Sequence, residues 1–171
     1  MYEIMLELLT MDNMVVKNEM IRFVPYNSRD FNVDKQKYVQ KMLRDCDIML
    51  LQEHWLSDSQ LSILNTLSPD HVSMAVSGYG NNSVLTGRPY GGCAILWRKN
   101  LSLTASPITS NSWRISAVLF CGAGVRFVCL CIYMHYDSDF SSTEEFQFQL
   151  SAVDTIISQH QDAHIILGGD F

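Results

Sequence analysis

The 171 residues carry 18 acidic and 12 basic side chains, a formal charge of −6 and a pI near 5.2, which excludes a strongly basic nucleic-acid-binding module. With 47% hydrophobic and 18% charged residues the chain is not disordered by composition, and its length suits one domain with a real core. Five cysteines, an odd number, argue against a disulfide framework and for a reducing, intracellular setting.

No run approaches the ~20 apolar residues of a membrane helix. Residues 1–20 lack a basic n-region and include Glu3 and Glu7, so a secretory signal is not expected. They are read as an extension, and 21–171 as the domain.

Ile21 to Asn27 reads as a strand in which Pro25 suits an edge or a bulge. Asp34 is expected to cap a helix through Arg44, with Tyr38, Val39, Met42 and Leu43 at helical spacing. Ile48 to Gln52 is a short apolar run, as in a strand buried on both faces. Ser57-x-x-Gln60 is a capping box that starts a second helix. His71 to Ser77 is a strand, and 78–92 a polar, Gly-rich loop. Four strands follow: Gly92 to Arg98, Leu101 to Ile108, Trp113 to Cys121 and Val125 to Met134. Their short connections suggest adjacent antiparallel pairing. Ser142-x-x-Glu145 caps a long helix, and Ala163 to Leu167 is a last strand running into Gly168, Gly169 and Asp170. The order gives a mixed α/β domain with helices packed on a sheet.

Asn27, Glu53, Tyr133 and Asp170 stand at or near the ends of apolar strands, where sites in α/β sheets gather. A carboxylate ending a buried strand is costly unless paired or metal-bound, and hard oxygen ligands suit Mg²⁺. A tyrosine hydroxyl can donate to a phosphate oxygen. Together the four resemble a metal-assisted hydrolytic site. Taken singly, each has a blander role: a cap or salt bridge for Glu53, a turn for Asp170, a core aromatic for Tyr133. Cys129 and Cys131 share one face of a strand and read as core. His160 and His164 lack HExxH surroundings and read as surface. Lys35, Lys37, Lys41 and Arg44 form a stripe that is usually a solvated face.

Five motifs in order then resemble the endonuclease/exonuclease/phosphatase superfamily, in particular the endonuclease domains of LINE-type (non-LTR) retrotransposons. They are Tyr26-Asn27, Cys46-Asp-Ile-Met-Leu-Leu-Gln-Glu-His-Trp-Leu56, Arg88-Pro-Tyr-Gly-Gly-Cys-Ala-Ile-Leu-Trp97, Ile132-Tyr-Met-His-Tyr-Asp-Ser138 and Leu167-Gly-Gly-Asp-Phe171. The resemblance implies a four-layer α/β sandwich of two mixed sheets with flanking helices. It implies that Glu53 binds Mg²⁺ (Mn²⁺ as a substitute), that Asn27 positions metal or phosphate, that Tyr133 bonds the scissile phosphate and that Asp170 orients the attacking water. DNA is the implied substrate, a reverse transcriptase domain the implied partner, and the nucleus the implied place of work. A basic rim of Arg88, Arg98 and Lys99, with the Lys35-to-Arg44 stripe, is the expected nucleic-acid contact.

The departures are informative too. The family's last motif continues to an Asn two residues after its Asp, and then to a C-terminal Asp-His pair, whereas the sequence stops at Phe171. His135 stands where Pro is usual. The sandwich is therefore expected to be incomplete and the nuclease activity of this chain weak or absent. Two further readings stay open: a non-catalytic remnant or interaction module, and a phosphatase of the same superfamily.

Overall fold

The computed structural model describes residues 13–16, 19–79, 90–122, 124–134 and 140–171. Its elements are β1 (Asn13–Val16), β2 (Glu19–Asn27), α1 (Val33–Met42), β3 (Ile48–Gln52), a 3-10 helix (Asp58–Thr66), β4 (His71–Val76), β5 (Cys93–Arg98), β6 (Thr104–Ile108), β7 (Ile115–Gly122), β8 (Val125–Tyr133), α2 (Phe140–Gln159) and β9 (His164–Asp170). The strands form two mixed sheets, ordered β1-β2-β3-β5-β4 and β6-β7-β8-β9.

Alternation along each strand explains the layering, because successive side chains point to opposite faces. In β3, Ile48 and Leu50 join Cys93, Ile95, Phe120, Phe127 and Cys129 in the core between the sheets. Met49 and Leu51 point the other way, onto Val39 of α1, Leu43 just after that helix and Leu64 of the 3-10 helix. In β8, Cys129 and Cys131 face inward, whereas Val128, Leu130 and Ile132 pack toward Ile156 of α2. The result is helix, sheet, sheet, helix: the four-layer α/β sandwich implied by the family resemblance. Both buried cysteines serve the core, as expected.

Several details differ from the sequence reading. The four-strand block does not form one sheet. β5 inserts between β3 and β4, and the chain then crosses to the second sheet, where β6, β7 and β8 form an antiparallel meander. A short link can serve a crossing as well as a hairpin, so its length did not reveal the partner. The cap of α1 is Asn32, whose Oδ1 accepts from the N–H groups of Asp34 and Lys35 at 3.0 Å each. The segment after Ser57 is a 3-10 helix, although the box itself forms, with the Ser57 N–H donating to Gln60 Oε1 at 3.1 Å. α2 starts at Phe140, before Ser142.

Residues 13–16 pair with Glu19 to Arg22. Beyond Arg22, β2 has β3 on one side and no described strand on the other, so Pro25 can lack a donor there. Strand β9 runs through Gly168 and Gly169 rather than stopping at Leu167. A Cβ on Gly168 would overlap Leu50 Cδ1 of the opposite sheet, and one on Gly169 would overlap Ile132 O. These glycines let β9 pack closely enough to bring Asp170 toward the first sheet. Among the described residues no helix is long and apolar enough to cross a membrane.

Candidate active site

Two parallel pairings set the site. β2 and β3 run side by side with Asn27 opposite Gln52, so Asn27 and Glu53 emerge together. β8 and β9 run side by side with Tyr133 opposite Asp170. Because the sheets face each other, these carboxyl ends meet. The Asn27 amide donates one N–H to Glu53 Oε1 and the other to Asp170 Oδ2, both at 2.7 Å. Its own Oδ1 accepts the Arg29 N–H at 3.1 Å. All its principal bonding groups are used, and a flipped amide would set oxygen against two carboxylates. The second Glu53 oxygen accepts from Trp55 Nε1 at 3.3 Å.

The backbone here is held in uncommon conformations. Arg29, Glu53 and Trp55 have φ of 53°, 53° and 55°, and these are the positive-φ non-glycine residues among those described. Such positions cost on the order of 1–3 kcal/mol each and persist only when the surroundings over-determine them. The surroundings are the Gly91-Gly92 turn: Glu53 N–H donates to Gly92 O at 2.9 Å, and Trp55 N–H to Gly91 O at 3.0 Å. Gly92, with φ 87°, leaves no room for a Cβ, which would overlap the His54 ring at Cε1.

His54 is fully buried beneath that turn. Its Nδ1 accepts the Leu56 N–H at 3.1 Å, so Nε2 carries the proton and donates to Val76 O at 3.2 Å. Burial pushes its pKa down to about 4, which keeps the ring neutral. His54 thus holds the Glu53 loop in place. It lies within the Gln-Glu-His-Trp motif, yet nothing in the sequence distinguishes a buried latch from a ligand.

Beside the acidic pair lies an aromatic and cationic wall. Tyr133 N–H donates to Arg114 O at 2.9 Å. The Arg114 guanidinium stacks on Trp113, 4.0 Å from its centroid, and lies 4.9 Å from that of Tyr133. Tyr90 meets Trp113 edge-on at 6.0 Å. Burial, then the Glu53 charge, raises the Tyr133 phenol above its ordinary value, against the opposing pull of Arg114. The phenol therefore stays a proton donor at neutral pH. Neither Trp113 nor Arg114 was singled out from the sequence, since only the β7–β8 register places them beside Tyr133.

The structure brings Asn27, Glu53, Tyr133 and Asp170 to one strand end. It does not bring Arg98 and Lys99 there. Arg98 pairs with Asp47 at 3.0 Å and donates to the carbonyls of Cys46 and Arg44, at the other end of β3. Lys99 Nζ donates to Pro69 O at 2.5 Å. Arg88 lies outside the described residues. Of the α1 stripe, Lys35 contacts the Tyr26 hydroxyl at 3.5 Å and Lys37 pairs with Asp34 at 3.6 Å. Besides Arg114, the exposed Arg29, two residues after Asn27, is a basic residue near this end.

The donor set suits a hard divalent cation. It offers two carboxylates held together by one carboxamide N–H pair, and among the described residues neither Glu53 nor Asp170 has an ion-pair partner. No described cluster of three His, Cys, Asp or Glu exists, so water and phosphate oxygens would have to complete a coordination sphere.

Residues 26–171 match the model of the Endonuclease/Exonuclease/phosphatase family. Solved structures of similar fold include the endonuclease domain of TRAS1, a telomere-specific non-LTR retrotransposon. It has a TM-score of 0.59 and 14% identity, over 88% of this chain and 59% of that one. The 3′ phosphatase NExo from Neisseria, in a variant bound to product DNA hairpin, gives 0.57 and 19%, over 87% and 56%. The AP endonuclease LMAP from Leishmania major gives 0.58 and 13%, over 86% and 54%. The chain thus spans little more than half the length of these proteins. No curated protein matches the sequence. With a match that takes in β3, β5, β8 and β9 and all four strand-end residues, the chain belongs to the endonuclease/exonuclease/phosphatase family.

Proposed function

We propose that this site hydrolyses phosphodiesters of DNA with the help of a divalent cation, in the manner expected of a retrotransposon endonuclease. The observation that carries the reading is the Asn27 amide bridging Glu53 and Asp170 at 2.7 Å each, two carboxylates without a described cation of their own. Glu53 would hold Mg²⁺ or Mn²⁺, with Asn27 fixing the carboxylate's direction. When bound, such an ion supplies charge neutralisation at the phosphoryl group.

The chain's own residues then divide the work. Tyr133 donates its phenol proton as a hydrogen bond to a non-bridging phosphate oxygen. Asp170 accepts a proton from water as the water oxygen forms its bond to phosphorus. The P–O ester bond breaks, and the departing alkoxide takes a proton from solvent. Asn27 keeps Asp170 and Glu53 at fixed separation throughout. Positioned acid–base groups of this kind contribute about 10²–10⁴-fold in rate. Activity on DNA in a nucleus, and work alongside a reverse transcriptase domain, belong to the same proposal. They are supported by the motif resemblance and by the DNA-related structures of similar fold.

The test is nicking of supercoiled plasmid by the purified chain with Mg²⁺ or Mn²⁺. Slow nicking is expected, since the chain spans just over half the length of its structural neighbours, and Glu53→Ala should abolish it. Release of phosphate from a 3′-phosphorylated oligonucleotide without nicking would favour the phosphatase reading. Neither activity, with a normal fold, would favour a non-catalytic module.

A further inference from the structure

Arg114 is an unusual buried cation. It is only 6% exposed, it has no ion-pair partner among the described residues, and its buried Nε has no hydrogen-bond partner there. A buried guanidinium normally requires a carboxylate, because its desolvation is otherwise uncompensated. Here aromatic faces take that place: Trp113 at 4.0 Å and Tyr133 at 4.9 Å from the guanidinium carbon. A cation against a ring is attracted by the ring's negative face, and the attraction strengthens when water is excluded.

Both partners of this stack are themselves held. Arg114 N–H donates to Ser112 Oγ at 3.1 Å, and Arg114 O accepts from Tyr133 N–H at 2.9 Å and from Cys93 Sγ at 3.2 Å. Trp113 is seated on the glycine turns: a Cβ at Gly91 would overlap Trp113 Cζ3, and one at Gly78 would lie 3.3 Å from Cε3. Tyr90 closes its edge at 6.0 Å. A rigid shelf therefore runs from Gly78 and Gly91 through Trp113 and Arg114 to the ring of Tyr133.

We infer that Arg114 is a positioning residue: clamped between Trp113 and Tyr133, its guanidinium fixes the Tyr133 ring so that the hydroxyl points at the scissile phosphate. The inference rests on the phosphate-binding role proposed above for Tyr133. Lysine cannot replace the arginine fully, because the ammonium has no planar face to lie between two rings.

Two measurements test it. The first is ¹⁹F NMR of the fluorotyrosine-labelled chain, with the Tyr133 resonance identified by its loss in Tyr133→Phe. Arg114→Met should shift and broaden that resonance while those of Tyr26 and Tyr38, at the α1 face, stay in place. Arg114→Lys should do the same to a smaller degree. An unchanged Tyr133 resonance in either folded variant overturns the inference, as does loss of fold in both, which would mark Arg114 as purely structural.

The second is a double-mutant cycle on plasmid nicking. Arg114→Met should lower kcat about tenfold with KM little changed, and should cost nothing further in a Tyr133→Phe background. Additive losses would mean that Arg114 acts on DNA directly, and would overturn the inference. A wild-type chain that nicks no DNA would remove the catalytic reading alone, and the NMR comparison would still decide whether Arg114 orders Tyr133.

Discussion

The two ends of the central strands carry similar polar chemistry with opposite charge balance. At the amino end of β3, Asp47 receives Arg98 at 3.0 Å and the Arg22 backbone N–H at 2.9 Å, with the Arg22 side chain at 3.4 Å. At the carboxyl end, Glu53 and Asp170 share one neutral amide and have no described ion pair. The first end is neutralised internally and has ordinary backbone. The second leaves negative charge in place and holds three non-glycine residues at positive φ. Such strain and uncompensated charge are tolerated where something outside the chain completes the balance.

The largest expected contrast is in catalysis. Asn27→Ala releases both carboxylates and should lower plasmid nicking by at least ~10²-fold, whereas Asp47→Asn, a full strand length away, should leave the rate within about twofold. Equal losses from both would break the distinction between the ends.

Next in size is the pH dependence of stability. His54 is held near pKa 4 in the folded chain, against about 6.5 when unfolded. Between these values the unfolded chain binds the additional proton, so stability is whole above about pH 6.5 and falls as pH drops toward 4. The expected loss is about 3 kcal/mol. Melting curves across that window should show the slope, and His54→Gln should flatten it. An undiminished slope in the variant would remove His54 from the account of how the Glu53 loop is held.

Smaller again is the effect of single charges on stability. Asp47→Asn should cost about 2 kcal/mol by denaturant unfolding, because it strips the partly buried Arg98 of its carboxylate. Glu53→Gln should change stability little, because the repulsion it relieves at the acidic pair offsets the acceptor it takes from Asn27 or Trp55. Lys99→Ala, exposed at the far end, should stay within ~0.5 kcal/mol and leave DNA affinity unchanged.

Much of this was legible in the sequence, for definite reasons. Ile48 to Gln52 declared a buried strand because nearly every position is apolar and the run is bounded by charge. Asn27, Glu53, Tyr133 and Asp170 stood out because polar residues closing apolar strands are conspicuous. What stayed hidden depended on pairing. The crossing from β5 to β6 looks like a hairpin in one dimension. Gly168 and Gly169 read as lying beyond the last strand, but they belong to it, and their lack of side chains serves the approach of Leu50 and Ile132. Arg98 read as a DNA contact, although it secures the end of α1, because a basic residue after a strand carries no sign of which end it occupies. Arg114 was invisible until the β7–β8 register placed it against Tyr133.

The claim that the strand-end carboxylates await a cation is tested most directly by thermal melting of the metal-free chain against a Mg²⁺ titration. A ligand that binds only the folded state raises stability with its concentration, by about 2.7 kcal/mol at a hundred times its Kd. The wild-type melting temperature should therefore climb with Mg²⁺, that of Asp47→Asn should climb in parallel from a lower start, and that of Glu53→Gln should stay flat. A Glu53→Gln curve that climbs like the wild type, or a wild type that does not respond, would contradict the account.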